Sequence, residues 1–214
     1  MCLQGSGRRT IRVLVQSERS QHALSTQRRP DGRAAVITLF RQCDSRYAFL
    51  WASARQPEGR WHAPGDGPVQ YLANSPDGAW AELLRHEEID EIDDLDGIAR
   101  ALWAVELAEV PSARPNLDDA TVHGDQGSYP ACQVEAERIR EVGNEGLVAP
   151  SAALRGGEVR PWRAVGEANI SAGERSATVV VLFGPRPDLD GWLMVDRGAP
   201  PSHVLADVRH FGES

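Results

Sequence analysis

At 214 residues the chain suits one domain, or one domain with a tail, and it is long enough to bury a sizeable core. Its net charge of −8 argues against broad binding of nucleic acid or anionic membrane through bulk electrostatics. All 23 basic residues are arginine, which excludes a P-loop lysine, a Schiff-base lysine and a kinase-type lysine; any phosphate held by a cationic side chain must meet an arginine fork.

Cys2, Cys43 and Cys132 are far apart, odd in number and without metal-ligand spacing, so a reduced, cytoplasmic chain with no metal site is expected. No apolar run reaches transmembrane length, and the first residues lack the apolar core of a signal peptide.

Residues 1–33 carry seven arginines against Glu18 and Asp31, with many Ser and Gln. They read as a loosely attached tail, with Ile11–Val15 as an alternative edge strand. A domain is expected over 34–214. It opens with a strand at Ala34–Phe40 that Arg41 closes. Gly and Pro punctuate an irregular stretch over 43–68, and Val69–Ala73 is a short strand. Ser75-Pro76 is a helix N-cap followed by proline at the first helical position, and the helix runs to about His86. Within it Trp80, Leu83 and Leu84 form the core stripe, and Glu82 lies roughly opposite, flanked by the small residues Gly78, Ala79 and Ala81.

Ala101–Val110 alternates as a strand, and a second helix starts near Ser128-Tyr129-Pro130 and stops at Gly143. Leu147–Val148 enters another strand. Thr178–Phe183 and Trp192–Val195 are expected to pair around a turn at Asp188–Gly191, and Val204–Val208 to form a last strand. Helices and strands mix without a βαβ rhythm, which favours an α+β fold.

Several chemistries fail on spacing. The acidic run Glu87–Asp96 places Ile92 and Trp103 where a calcium loop needs oxygen ligands. There is no G-x-S-x-G elbow, no H-E-x-x-H pair and no G-x-G-x-x-G after a strand. On the residues alone, Arg60 is either a phosphate clamp in a Gly/Pro-rich loop or a solvated neighbour of a core tryptophan. Tyr71 is either packing or a surface for a planar ring. Glu82 is either an exposed partner of Arg85 or a carboxylate beside a cleft.

The order of three pieces narrows this. The loop Gly59-Arg60-Trp61-His62, the strand Val69-Gln70-Tyr71-Leu72 and the helix start Ala79-Trp80-Ala81-Glu82 follow one another, and Gly146–Ser151 comes later. Together they resemble the RES domain family, which is named for an arginine, a glutamate and a serine and contains NAD-degrading toxins. The resemblance covers roughly residues 38–155. It implies a single α+β domain with an ADP-ribosyltransferase-like mixed sheet and flanking helices. Arg60, Tyr71, Glu82 and Ser151 match family positions. Arg41 fits the upstream arginine best, with Arg46 as runner-up; Gln42 follows Arg41 where some members carry tyrosine.

The resemblance also implies chemistry and partners. Arg41 and Arg60 would hold the NAD phosphates, and Tyr71 would pack on the nicotinamide or its ribose. Glu82, with Arg60, would carry catalysis by stabilising charge on the ribose, and Ser151 would orient a hydroxyl or phosphate. NAD would be a substrate, cleaved without metal, with inorganic phosphate, water or a protein side chain as acceptor. A helix-turn-helix antitoxin would block the cleft. Direct nucleic-acid or membrane binding is not implied, and homo-oligomerisation is left open. A non-catalytic binding module and a protein ADP-ribosyltransferase on the same fold are the alternatives.

Overall fold

The computed structural model describes residues 36–213 apart from 52, 54 and 55. The tail expected over 1–33, with its Ile11–Val15 patch, lies outside them. Strand β1 (Ile37–Asp44) starts the described fold. It runs three residues past Arg41, because the whole strand pairs with β3, from Ile37 opposite Leu107 to Asp44 opposite Arg100. A polar side chain does not end a strand whose backbone ladder continues.

Strand β2 (Val69–Ala73) leads into helix α1 (Pro76–His86). Its start is as the sequence predicts: Ser75 Oγ accepts from the Gly78 amide at 2.9 Å, and Pro76 opens the helix. That cap is worth about 1 kcal/mol. Burial of Trp80, Leu83 and Leu84 outweighs it, at roughly 1.5–3 kcal/mol for each such side chain. Then follow β3 (Arg100–Leu107), the short helix α2 (Asp119–His123), α3 (Tyr129–Glu141) and β4 (Gly146–Pro150). Two small ladders come next: β5 (Glu158–Val159) with β8 (Arg175–Ser176), and β6 (Trp162–Val165) with β7 (Ala168–Ser171). Strands β9 (Thr178–Phe183) and β10 (Gly191–Gly198) and helix α4 (Ser202–Asp207) complete the order.

The main sheet has the order β10-β3-β1-β2-β9-β4, and every neighbouring pair is antiparallel. The architecture is α+β. Helices cover one face. Ala73 and Leu102 pack there against Trp80, Leu83 and Leu84 of α1, and Leu147, Ala149, Val179 and Val181 pack against Cys132, Ala136 and Ile139 of α3. On the other face Leu39, Leu72, Val105, Val148, Val180 and Leu182 are covered by Phe49, Leu50 and Leu189. Strand β9 is apolar on both faces because it lies inside the sheet, covered on both sides.

Two local expectations are corrected. Strands β9 and β10 do not pair with each other: β9 lies between β2 and β4, while β10 pairs with β3 at the opposite side of the sheet. Closeness in sequence suggested a hairpin, but both flanks of β9 are already taken. The segment expected as a last strand is α4. Val204 packs from within α4, while Val208, the extended residue that caps the helix, forms an isolated antiparallel bridge with Leu154; both are buried in the core that α1 shares. Among the described residues no helix is long and apolar enough to cross a membrane.

Candidate active site

The Gly-Arg-Trp loop is a tight turn. The Gly59 amide donates to the His62 carbonyl at 3.1 Å, and the His62 amide donates back to Gly59 at 3.2 Å. A side chain at Gly59 has no room, since a Cβ there would lie 2.7 Å from His62 Cε1 and 2.8 Å from Tyr71 Oη. Gln133 of α3 pins the turn by donating to both of its carbonyls. Trp61 is buried in the core beneath it.

Tyr71 holds the same loop from β2. Its hydroxyl accepts from the Trp61 amide at 3.1 Å and lies 2.9 Å from His62 Nδ1. His62 Nε2 is 2.8 Å from the Pro57 carbonyl, which only accepts, so the proton sits on Nε2 and Nδ1 accepts from Tyr71. Burial pushes the His62 pKa down, which agrees with a neutral ring. Burial also pushes the Tyr71 phenol up, well above its usual range.

Arg60 leaves the turn and enters the fold almost fully buried. Its Nη1 donates to Ser128 Oγ at 2.9 Å and to the Thr121 carbonyl at 3.3 Å; its Nη2 donates to Gly124 at 2.7 Å. The guanidinium lies 4.9 Å from the centre of the Tyr129 ring. A second buried arginine, Arg85 of α1, reaches the same Gly124 carbonyl at 2.8 Å. It also donates to the carbonyls of Ala152, His123 and Arg209, and its guanidinium sits 4.5 Å from the centre of the Phe211 ring.

Glu82 faces these cations from α1. Ser151 Oγ donates to its Oε1 at 2.9 Å and accepts from the Ala153 amide at 3.3 Å. Burial raises the Glu82 pKa above the usual carboxylate value; the Ser151 hydrogen bond and the charges of Arg60 and Arg85 oppose that rise without cancelling it. Arg60, Tyr71, Glu82, Arg85, Tyr129 and Phe211 line one cleft enclosing about 50 Å³. Two guanidinium groups face a single carboxylate there, so the cleft suits an anion. A wider groove of about 850 Å³ is lined by Glu106, Glu109, Glu145, Asp188 and Asp190 against Arg186, a charge balance that repels phosphate.

Of the residues singled out from sequence, Arg60, Tyr71 and Glu82 meet at this cleft, and Ser151 joins through its hydrogen bond to Glu82. Arg41 does not. Its strand neighbour Phe40 is in register with Ala73 on the helix-covered face, so Arg41 projects from the opposite face with Leu39. Its Nη1 donates to the Tyr71 carbonyl at 3.4 Å, and its Nε is unpaired. Arg46 is exposed and paired with Asp44 at 2.6 Å.

Sequence reasoning missed Arg85, Tyr129 and Phe211. Arg85 was visible only as an exposed partner of Glu82, yet it is buried. Tyr129 was visible as a helix start, and nothing in the sequence marked Phe211. Among the described residues no group of three or more His, Cys, Asp or Glu side chains is placed to hold a metal.

A six-stranded antiparallel α+β domain carries buried arginines, a tyrosine and a serine-tethered glutamate around one anion-suited cleft. The chain belongs to the RES domain family, whose model matches residues 38–173. It is 31% identical over 110 residues to a Mycobacterium tuberculosis protein named Probable NAD(+) phosphorylase Rv3189, covering 48% of this chain and 52% of that protein. The chain thus spans about half the length of that curated relative. Its fold is similar to that of a chain in the crystal structure of the M. tuberculosis MbcT–MbcA toxin–antitoxin complex, with a TM-score of 0.54 and 16% identity over 76% of this chain and 86% of that one.

Proposed function

We propose that the protein is an NAD-consuming toxin that cleaves the bond between nicotinamide and ribose. The observation that carries the reading is Glu82, held by Ser151 in a cleft that also contains Arg60 and Arg85. Breaking the C1′–N bond sends its electron pair into nicotinamide and leaves positive charge on the ribose. A fixed carboxylate beside that carbon stabilises the charge as it develops. The cationic nicotinamide is already a good leaving group, so the step needs no metal. Arg60 meets the phosphates through charge-assisted hydrogen bonds, exchanging some of its carbonyl partners for phosphate oxygens. Tyr71 fixes the Arg60 loop through its hydroxyl while its ring lines the cleft.

Inorganic phosphate is the proposed acceptor: one of its oxygens bonds to C1′ as nicotinamide leaves, giving a phosphorylated ADP-ribose. The name of the M. tuberculosis relative supports this choice, and so does the excess of arginine over carboxylate in the cleft. The likeness to a toxin–antitoxin complex supports a protein antitoxin as partner, and the family resemblance favours one of helix-turn-helix type. Expression of the wild-type protein in bacteria should arrest growth and drain cellular NAD. Glu82→Ala, at equal expression, should do neither. Full toxicity of that variant would refute the role given to Glu82.

A further inference from the structure

The cleft encloses about 50 Å³, whereas pockets for drug-sized ligands hold roughly 300–1,000 Å³. A dinucleotide can enter only if a wall moves. Tyr71 and Pro150 stand on strands of the main sheet, and Glu82, Arg85 and Tyr129 stand on helices. Arg60 and Trp61 stand on the turn that Tyr71 and Gln133 pin, and Ala152 is buried beside Ser151; Phe211 stands on no strand or helix. It belongs to the segment that follows α4, beyond residue 173 where the family match stops.

Polar contacts hold this segment across the cleft. The Arg209 amide donates to Ala153 at 2.7 Å, and the Arg209 carbonyl accepts from Arg85 Nη1 at 2.7 Å. The Gly212 amide donates to the Asp125 carboxylate at 3.0 Å, and Glu213 pairs with Arg155 at 2.5 Å. The last two contacts are exposed, the class of anchor that contributes least and breaks most readily. Meanwhile the Phe211 ring lines the cleft and carries a planar cation, the Arg85 guanidinium, at 4.5 Å.

We infer that residues 209–213 form a strap that opens to admit the dinucleotide and closes over it, and that Phe211 then packs against the nicotinamide ring. The inference rests on the proposed NAD cleavage. A cleft this small places Phe211 and Glu82 around the same part of the ligand. An aromatic face attracts a planar cation, and oxidised nicotinamide is one. The packing of the ring against Phe211 is kept while the bond to the ribose breaks, so Phe211 holds ground state and transition state alike and serves binding rather than the chemical step. It is a substrate-contacting residue that sets affinity for the oxidised, charged ring.

Steady-state NAD cleavage by the full chain tests this. Phe211→Ala should raise KM for NAD by roughly 3–30-fold with kcat kept within about twofold. Phe211→Trp should keep the wild-type KM, whereas Phe211→Leu, which fills space without a π face, should behave like the alanine variant. Asp125→Ala, which releases only the strap's anchor at Gly212, should raise KM in the same direction and leave kcat unchanged. An unchanged or lowered KM for Phe211→Ala would overturn the inference, and so would rescue by leucine. A wild-type protein that cleaves no NAD would remove the proposed function along with it. Cleavage by the wild type with an unmoved KM in Phe211→Ala would remove the strap alone.

Discussion

Ser151→Ala probes the link between the serine and the glutamate, and its effect can be worked from two bonds. Ser151 is buried, and its Oγ donates to Glu82 at 2.9 Å while accepting from the Ala153 amide at 3.3 Å. Alanine leaves the carboxylate without that donor and the buried Ala153 amide without an acceptor. A hydrogen bond to a charged group is worth about 1.5–3 kcal/mol and an orphaned buried amide costs about 1–3 kcal/mol. The Ala153 bond is long, so the low end applies to it, and the variant should lose about 2–4 kcal/mol of stability in urea unfolding.

The catalytic consequence has a defined sign. Burial raises the Glu82 pKa, and the Ser151 bond is the largest influence holding it down. Removing that bond raises the pKa further. Since the ionised form stabilises the ribose cation, kcat/KM for NAD should fall by roughly 10–100-fold, and its acid limb should move to higher pH. Profiles of kcat/KM from about pH 4 to pH 9 for both proteins read this directly. An acid limb that stays in place or moves down, in a folded Ser151→Ala protein, would refute the argument.

Glu82→Gln should melt at a higher temperature than wild type at neutral pH. A raised folded pKa means that the stability contributed by protonated Glu82 is lost as pH rises through that value, and glutamine is never ionised. The difference should vanish below the ordinary carboxylate range; a constant difference across pH would contradict it. Gly59→Ala should cost about 1–3 kcal/mol, because its Cβ collides with His62 and Tyr71 where they hydrogen-bond, and denaturant midpoints would show it. Arg41→Gln should leave KM for NAD within about twofold, as Arg41 projects from the sheet face away from the cleft, whereas a rise of tenfold or more would place it at the phosphates after all.

The parts of the fold legible in the sequence were those set by local chemistry. Ser75 and Pro76 mark the start of α1 because the cap position favours a side-chain oxygen and the first helical position, whose amide has no intrahelical acceptor, suits proline. Strands β2 and β9 show as short apolar runs bounded by turn residues. The pairing of β9 and β10 was not legible, because strand order depends on which flanks other strands have already filled. Val204–Val208 carries apolar residues at spacings that suit both helix and strand, and only the packing on α1 decides.

The site divides the same way. Arg60, Tyr71, Glu82 and Ser151 came from a motif whose order is specific. Arg41 came from its place at the end of an expected strand. Alternation separates Arg41 from Phe40 but cannot say which face meets the helices when both faces are apolar. Arg85 looked like a surface partner of Glu82 because burial of a charged group depends on distant carbonyls, here those of residues 123, 124, 152 and 209.

The central claim is cleavage of NAD with transfer to phosphate. Purified protein should be incubated with NAD, with and without inorganic phosphate, while proton NMR follows nicotinamide and phosphorus NMR follows the products. Nicotinamide release that depends on phosphate, with a phosphorylated ADP-ribose as the second product, is the predicted result. No release from a folded, antitoxin-free sample would contradict the account.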